Sequence, residues 1–135
     1  EVVVLSRESS SGTFVFFQKK VLNKKDYASR AKLMPATSAI VQSVSDDNGA
    51  IGYIGLGYAA SAGDKVKVLG VKPDASSPAV KPSTETIVSG DYVIARPLHL
   101  YVKEDTSPLA QKFIDYTLSA PGQEVVVETG YVKIK

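Results

Sequence analysis

The segment Ser6-Arg7-Glu8-Ser9-Ser10-Ser11-Gly12-Thr13 joins a β-branched run, Val2 to Val4, to an aromatic-rich stretch with helical spacing. These residue types suit the gripping of a small oxyanion. The first N–H groups of a helix have no intrahelical partner and carry partial positive charge, so an anion placed there receives several hydrogen bonds at once. Gly12 lets the backbone come close, and the hydroxyls of Ser11 and Thr13 add donors that rotate to suit the ligand. Arg7, on the strand side, presents a planar fork to two oxygens. Plain helix capping competes with this reading, with Arg7 paired to Glu8 on the surface. Capping accounts for one hydroxyl and leaves three serines and an arginine unexplained. The spacing alone leaves both readings open.

Other chemistries fit less well. A nucleotide-binding or phosphoryl-transfer loop needs a Gly-Lys-Ser/Thr end, and this loop has Gly-Thr without the lysine. Ser10 and Ser11 lack the Gly-x-Ser-x-Gly elbow of a serine hydrolase. His99, the only histidine, has no metal partners near it in sequence and reads as a packed or surface residue ahead of a general base. Asp46 and Asp47 open like a calcium loop but lack its later acidic positions, which favours a turn. Tyr53 and Tyr58, flanked by glycines, read as core or rim packing ahead of cleft lining. Without cysteine there is neither a disulfide nor a thiolate metal site. No cofactor, metal or catalytic residue is expected.

A chain of 135 residues suits a single unit with one core, and 44% hydrophobic with 22% charged residues is ordinary for a globular domain. A net charge of +2 is too small to argue for nucleic acid. The basic stretch from Lys19 to Lys32 reads as a solvated helix face and loop, with electrostatic steering of anions second. The sequence shows no charged-then-apolar signal segment and no apolar run of about 20 residues that would cross a membrane.

The elements that must position the serine-rich loop alternate between strand and helix. Residues 2–6 are predicted as a strand and 11–22 as a helix with Phe14, Phe17 and Val21 on one face. Thr37 is expected to cap a helix burying Ile40, Val41 and Val44, which ends at the turn from Asp46 to Gly49. Further strands are expected at 51–54, 65–71 and 92–102, with a proline-rich loop at 73–82 and a short helix at 83–89 stopped by Gly90. Pro108 and Pro121 open helices near 108–118 and 121–129, and Gly130 closes the second. Such alternation argues for an α/β layer with helices on both faces.

Four stretches, SRESSSGT at 6–13, GAIGYIGLGYA at 49–59, YVIARPLHLYV at 92–102 and FIDYTLSAPGQEVVVETGYVKI at 113–134, carry a further signal. In them the chain resembles the phosphate-binding proteins of bacterial ABC phosphate importers. The resemblance implies a single lobe of a type 2 periplasmic-binding-protein fold over residues 1–135, a mixed and mostly parallel sheet flanked by helices. It implies a C-terminal half whose first lobe is missing. Arg7, Ser11, Gly12 and Thr13 would be the phosphate-binding residues, with Glu8, Ser9 and Ser10 in support. Relatives often carry an acidic residue two positions after the arginine to hold its side chain, and Ser9 stands there. The implied partners are inorganic phosphate, the absent N-terminal lobe and a membrane permease, with no nucleic acid. Self-association of the lone lobe is a further expectation. The implied location is periplasmic, or extracellular and membrane-anchored. Another oxyanion such as sulfate would satisfy much of the same donor set, and a phosphoryl-transfer or nucleotide-binding domain is the remaining alternative.

Overall fold

The β-branched run near the start forms the central strand of the sheet. In the structure, a computed structural model that describes residues 1–134, Val3–Arg7 (β1) lies between Lys32–Met34 (β2) and Ala50–Ile51 (β3). Both pairings are parallel, with Leu5 opposite Lys32, Arg7 opposite Met34 and Val3 opposite Ala50. Pro35 follows β2 directly and has no N–H to continue a ladder.

Parallel neighbours need crossovers, which here are helical. Gly12–Lys20 (α1) connects β1 toward β2, and Thr37–Asp46 (α2) connects β2 to β3. Successive strand residues face opposite sides of a sheet, so burial of both Leu5 (3% exposed) and Ser6 (0%) means that both faces are covered. Leu5 faces α2. A Cβ added at Gly52 would lie 2.5 Å from Ile40 Cγ2 and 3.4 Å from Leu5 Cβ, so these three residues close around one point. Ser6 faces α1, where its hydroxyl is 2.7 Å from that of Tyr53, whose ring stacks on Phe17 at 4.1 Å. The expected α/β layer with helices on both faces is the one observed.

Beyond β3 come Leu56–Ala62 (α3), a single 3-10 turn at Gly63–Lys65, Thr84–Val88 (α4), Pro108–Leu118 (α5) and Ala120–Glu128 (α6). Ser83 caps α4 in a reciprocal capping box with Thr86, while Ser107 and Ser119 cap the two proline-opened helices. Gly130 has φ +85°, the left-handed turn that ends α6.

Two expected strands are not formed. Lys65 closes the 3-10 turn, and the Lys-Val alternation after it reaches only a single antiparallel bridge, Val71 with Val80. Residues 92–102 have no ladder at all. A strand requires a neighbour to accept its N–H groups, and no other strand of the described residues lies beside either segment. Residues 92–95 of the second segment are partly buried, but its apolar side chains from Leu98 onward stay at the surface, with Leu98 67% and Tyr101 90% exposed. The expected strand at 51–54 is limited to Ala50–Ile51. The expected cap at Thr37 is also corrected. Ala36 holds the cap position without a side-chain bond, and Thr37 is the first helical residue.

Candidate functional site

The chain leaves β1 for β2 on one side of the sheet and then returns to β3 on the other. Connections that diverge in this way open a crevice outside the carboxyl ends of the two strands, and open α/β sheets bind ligands there. Arg7 is the last residue of β1. The loop after it and the start of α1 therefore occupy the crevice that the topology creates.

Arg7 is pinned by neutral partners. Nη1 donates to Thr37 Oγ1 at 2.9 Å and Nη2 to the Pro35 carbonyl at 3.1 Å. This leaves one further N–H on each terminal nitrogen, while Nε is shielded and has no partner. Thr37 thus spends its hydroxyl on a guanidinium, a charge-assisted bond stronger than the neutral cap it was expected to make. Neither Glu8 nor Ser9 takes the holding role.

Residues 8–11 fold into a turn in which Ser11 N–H donates to the Glu8 carbonyl at 2.9 Å. Glu8, Ser9 and Ser10 are exposed on it. Ser11 is the N-cap of α1, its hydroxyl accepting from Thr13 N–H at 3.2 Å. Gly12 begins the helix. Ordinary capping is therefore present, yet it uses one hydroxyl of the group, and α1 has no acidic residue in its first turn. Its positive end is left without a protein counter-charge from its own sequence. The turn brings Arg7 and the residues from Ser11 to Thr13 to the same end of the sheet.

A tyrosine pair supports the loop from below. The Tyr53 hydroxyl accepts from Arg7 N–H at 3.2 Å and lies 3.1 Å from the Tyr27 hydroxyl, which donates to the Phe14 carbonyl at 2.9 Å. Phe14 stacks on Tyr27 at 4.3 Å. Burial, and then the Tyr53 hydroxyl, push the Tyr27 phenol well above its ordinary value, with Ser6 opposing. An unfolded tyrosine ionises near pH 10. The stability this proton contributes is therefore complete below about pH 10 and is lost as the pH rises from there toward the raised folded value. Urea midpoints measured from pH 8 to 11 should fall more steeply for the wild type than for Tyr27→Phe, and parallel curves would refute this assignment.

Thr37, Tyr53 and Arg96 belong to the site's surroundings; sequence reasoning gave Thr37 and Arg96 no part in it and set cleft lining behind packing for Tyr53. Thr37 sits at the start of a helix and matched a cap, and Tyr53 is remote in sequence from Arg7. His99 is exposed near Tyr101, with ring centres 6.1 Å apart. Asp47 accepts from Gly49 N–H at 2.8 Å, the turn expected of it. Tyr58 is half exposed on α3, whereas Tyr53 is built into the packing under α1.

Comparison with known proteins places this geometry in context. Residues 1–121 match the PBP superfamily domain. A phosphate-binding protein PstS from Staphylococcus haemolyticus is 35% identical, the match covering 98% of this chain and 42% of that protein. Its namesake from Pseudomonas aeruginosa is 31% identical over the same shares. Among solved structures, a phosphate-binding protein of a phosphate ABC transporter from Streptococcus pneumoniae superposes with a TM-score of 0.84 at 32% identity, covering 99% of this chain and 52% of that one. PstS from Borrelia burgdorferi superposes with a TM-score of 0.66 at 28% identity, covering 100% and 54%. The chain spans about half the length of these relatives.

Proposed function

Because the chain belongs to the PBP superfamily domain family, we propose that it binds inorganic phosphate as one lobe of a two-lobed solute receptor. The observation that carries this reading is the placement of Arg7, held by Thr37 and Pro35 at the end of the central strand beside the open N-terminus of α1. Arg7 supplies its two remaining terminal N–H groups. Ser11 supplies a hydroxyl, Gly12 a backbone N–H and Thr13 a hydroxyl, and the Ser11 and Thr13 N–H groups join them by exchanging the Glu8 carbonyl and Ser11 Oγ for the anion. Every one of these groups can donate and none is a general base, so the set holds an anion without transforming it.

The relatives are named phosphate-binding proteins, one of them of a phosphate ABC transporter, which supports delivery of phosphate to such a transporter. That role would be exercised at the outer face of the cell membrane or in the periplasm. A second lobe would close the other wall of the cleft. Within residues 7–13 the one acceptor carboxylate is Glu8, exposed on the turn, so this lobe has little with which to tell protonated phosphate from sulfate. Half a cleft also leaves the anion in water, where each bond is weaker.

Binding by residues 1–135 is accordingly expected on the order of 1 mM, about 4 kcal/mol, with sulfate competing. A phosphate titration followed by amide NMR checks this. Shifts should centre on Ser11, Gly12 and Thr13. Saturable shifts elsewhere with these amides unmoved would overturn the reading, and tight binding that excludes sulfate would overturn the expected weakness.

A further inference from the structure

Arg96 lies against the first turn of α1 from a distant part of the chain. Its Nη1 donates to the Gly12 carbonyl at 3.3 Å, its Nη2 stands 3.5 Å from where a Gly12 Cβ would be, and its guanidinium carbon is 5.2 Å from the centre of the Phe16 ring. Electrostatics alone would not choose this position. The helix N-terminus is the positive end of the dipole, and a cation there is repelled. Arg7 adds a second cation close by, and its bonds go to a hydroxyl and a carbonyl. The one ion pair among the described residues is Arg30 with Glu1, so no carboxylate neutralises either arginine. Attraction to the face of Phe16 and the bond to Gly12 hold Arg96 where its charge is uncompensated.

The carbonyl that Arg96 engages belongs to the same peptide as the Thr13 N–H. Donation to that oxygen polarises the peptide and strengthens the hydrogen bond from the N–H to Ser11 Oγ, which in turn makes the Ser11 hydroxyl a stronger donor toward the crevice. A fixed cation beside the crevice also attracts a doubly charged anion with twice the Coulomb energy it gives a singly charged one.

Resting on the phosphate reading above, we infer that Arg96 is a positioning residue that biases the oxyanion site toward doubly charged ligands. It acts through the Gly12–Thr13 peptide and through its field, without touching the anion. A purely structural staple would change the affinity for both charge forms alike.

The test is an NMR titration of residues 1–135 with inorganic phosphate, at pH values below and above its second ionisation and at low salt, reading the Gly12 and Thr13 amides. Arg96→Gln is expected to lower affinity about fivefold for the dianion and about twofold for the monoanion. Arg96→Lys should recover most of the dianion preference. In 1 M salt, where screening acts over about 3 Å, the difference between wild type and Arg96→Gln should shrink. The Arg96 side chain is exposed, and unchanged amide dispersion would verify that both variants fold. Equal losses for both charge forms, no loss at all, or a lysine variant no better than glutamine would each overturn the inference. If the wild type binds and Arg7→Met weakens it while Arg96→Gln does not, this inference alone fails. A wild type that does not bind phosphate overturns the proposed function and this inference with it.

Discussion

Replacing Arg7 with methionine is expected to weaken phosphate binding about a hundredfold while leaving the fold in place. Hydrogen bonds to charged groups contribute about 1.5–3 kcal/mol each, and 2.7 kcal/mol is roughly a hundredfold in affinity. The effect is large because the guanidinium is already immobilised. Thr37 Oγ1 and the Pro35 carbonyl fix its plane before a ligand arrives, so little side-chain freedom remains to be lost on binding. Arg7→Lys keeps the charge but loses the fork, and about tenfold weakening is expected. Thr37→Val should produce an intermediate loss, since it frees one side of the guanidinium. Calorimetry or an amide titration checks all three. A methionine variant within threefold of wild type, correctly folded by its amide spectrum, would show that the anion is held elsewhere.

The second large effect concerns stability and runs against a common rule. Gly57 lies inside α3, and an alanine in a helix interior is ordinarily favoured over glycine by about 1 kcal/mol. Here the sign should reverse. A Cβ at Gly57 would press on the Gly130 Cα and lie 2.7 Å from its carbonyl oxygen, and a Cβ at Gly130 would be 2.8 Å from the Gly57 Cα. Both sides of the contact are backbone, so no flexible side chain can move aside. Gly57→Ala is expected to destabilise the chain by about 2–4 kcal/mol, the range for forced overpacking and its larger cases. This would appear as a lower urea midpoint with an unchanged slope. Gly12→Ala is the contrasting case. Its new Cβ would meet only the Arg96 guanidinium, at ordinary contact distance. A stabilised Gly57→Ala would mean that α3 and the turn after α6 do not meet as described.

What the sequence made legible follows physical locality. The Ser11 cap, the short helix opened at Ser83, the prolines opening α5 and α6 and the closing Gly130 are all settled within a few residues, and they were readable. The inward packing of Phe14 and Phe17, both half-buried, followed from helical spacing, although Val21 of the same stripe is exposed at the C-cap. Their partners Tyr27 and Tyr53 did not follow, because a ring's stacking partner is fixed by tertiary packing. Strands at 65–71 and 92–102 were misread for the same reason. Alternation says which face of a strand would be buried, but a strand needs an edge to pair with, and sequence spacing does not supply one. At the site, Arg7 and the residues from Ser11 to Thr13 stood out by type. Thr37 and Arg96 did not, since a threonine at a helix start matches an ordinary cap and Arg96 was assigned to a strand at 92–102 that does not form.

The position of β1 at the centre of its sheet also sets the order of events during synthesis. Both of its partners, Lys32–Met34 and Ala50–Ile51, are translated after it. At 5–20 residues per second the segment from Val3 to Leu5 waits roughly a few seconds outside the ribosome with both edges unpaired. No local hairpin shelters it in the meantime, because parallel pairing requires the intervening helices first. Formation of this sheet is therefore non-local from its first pairing, and it waits on both crossover helices.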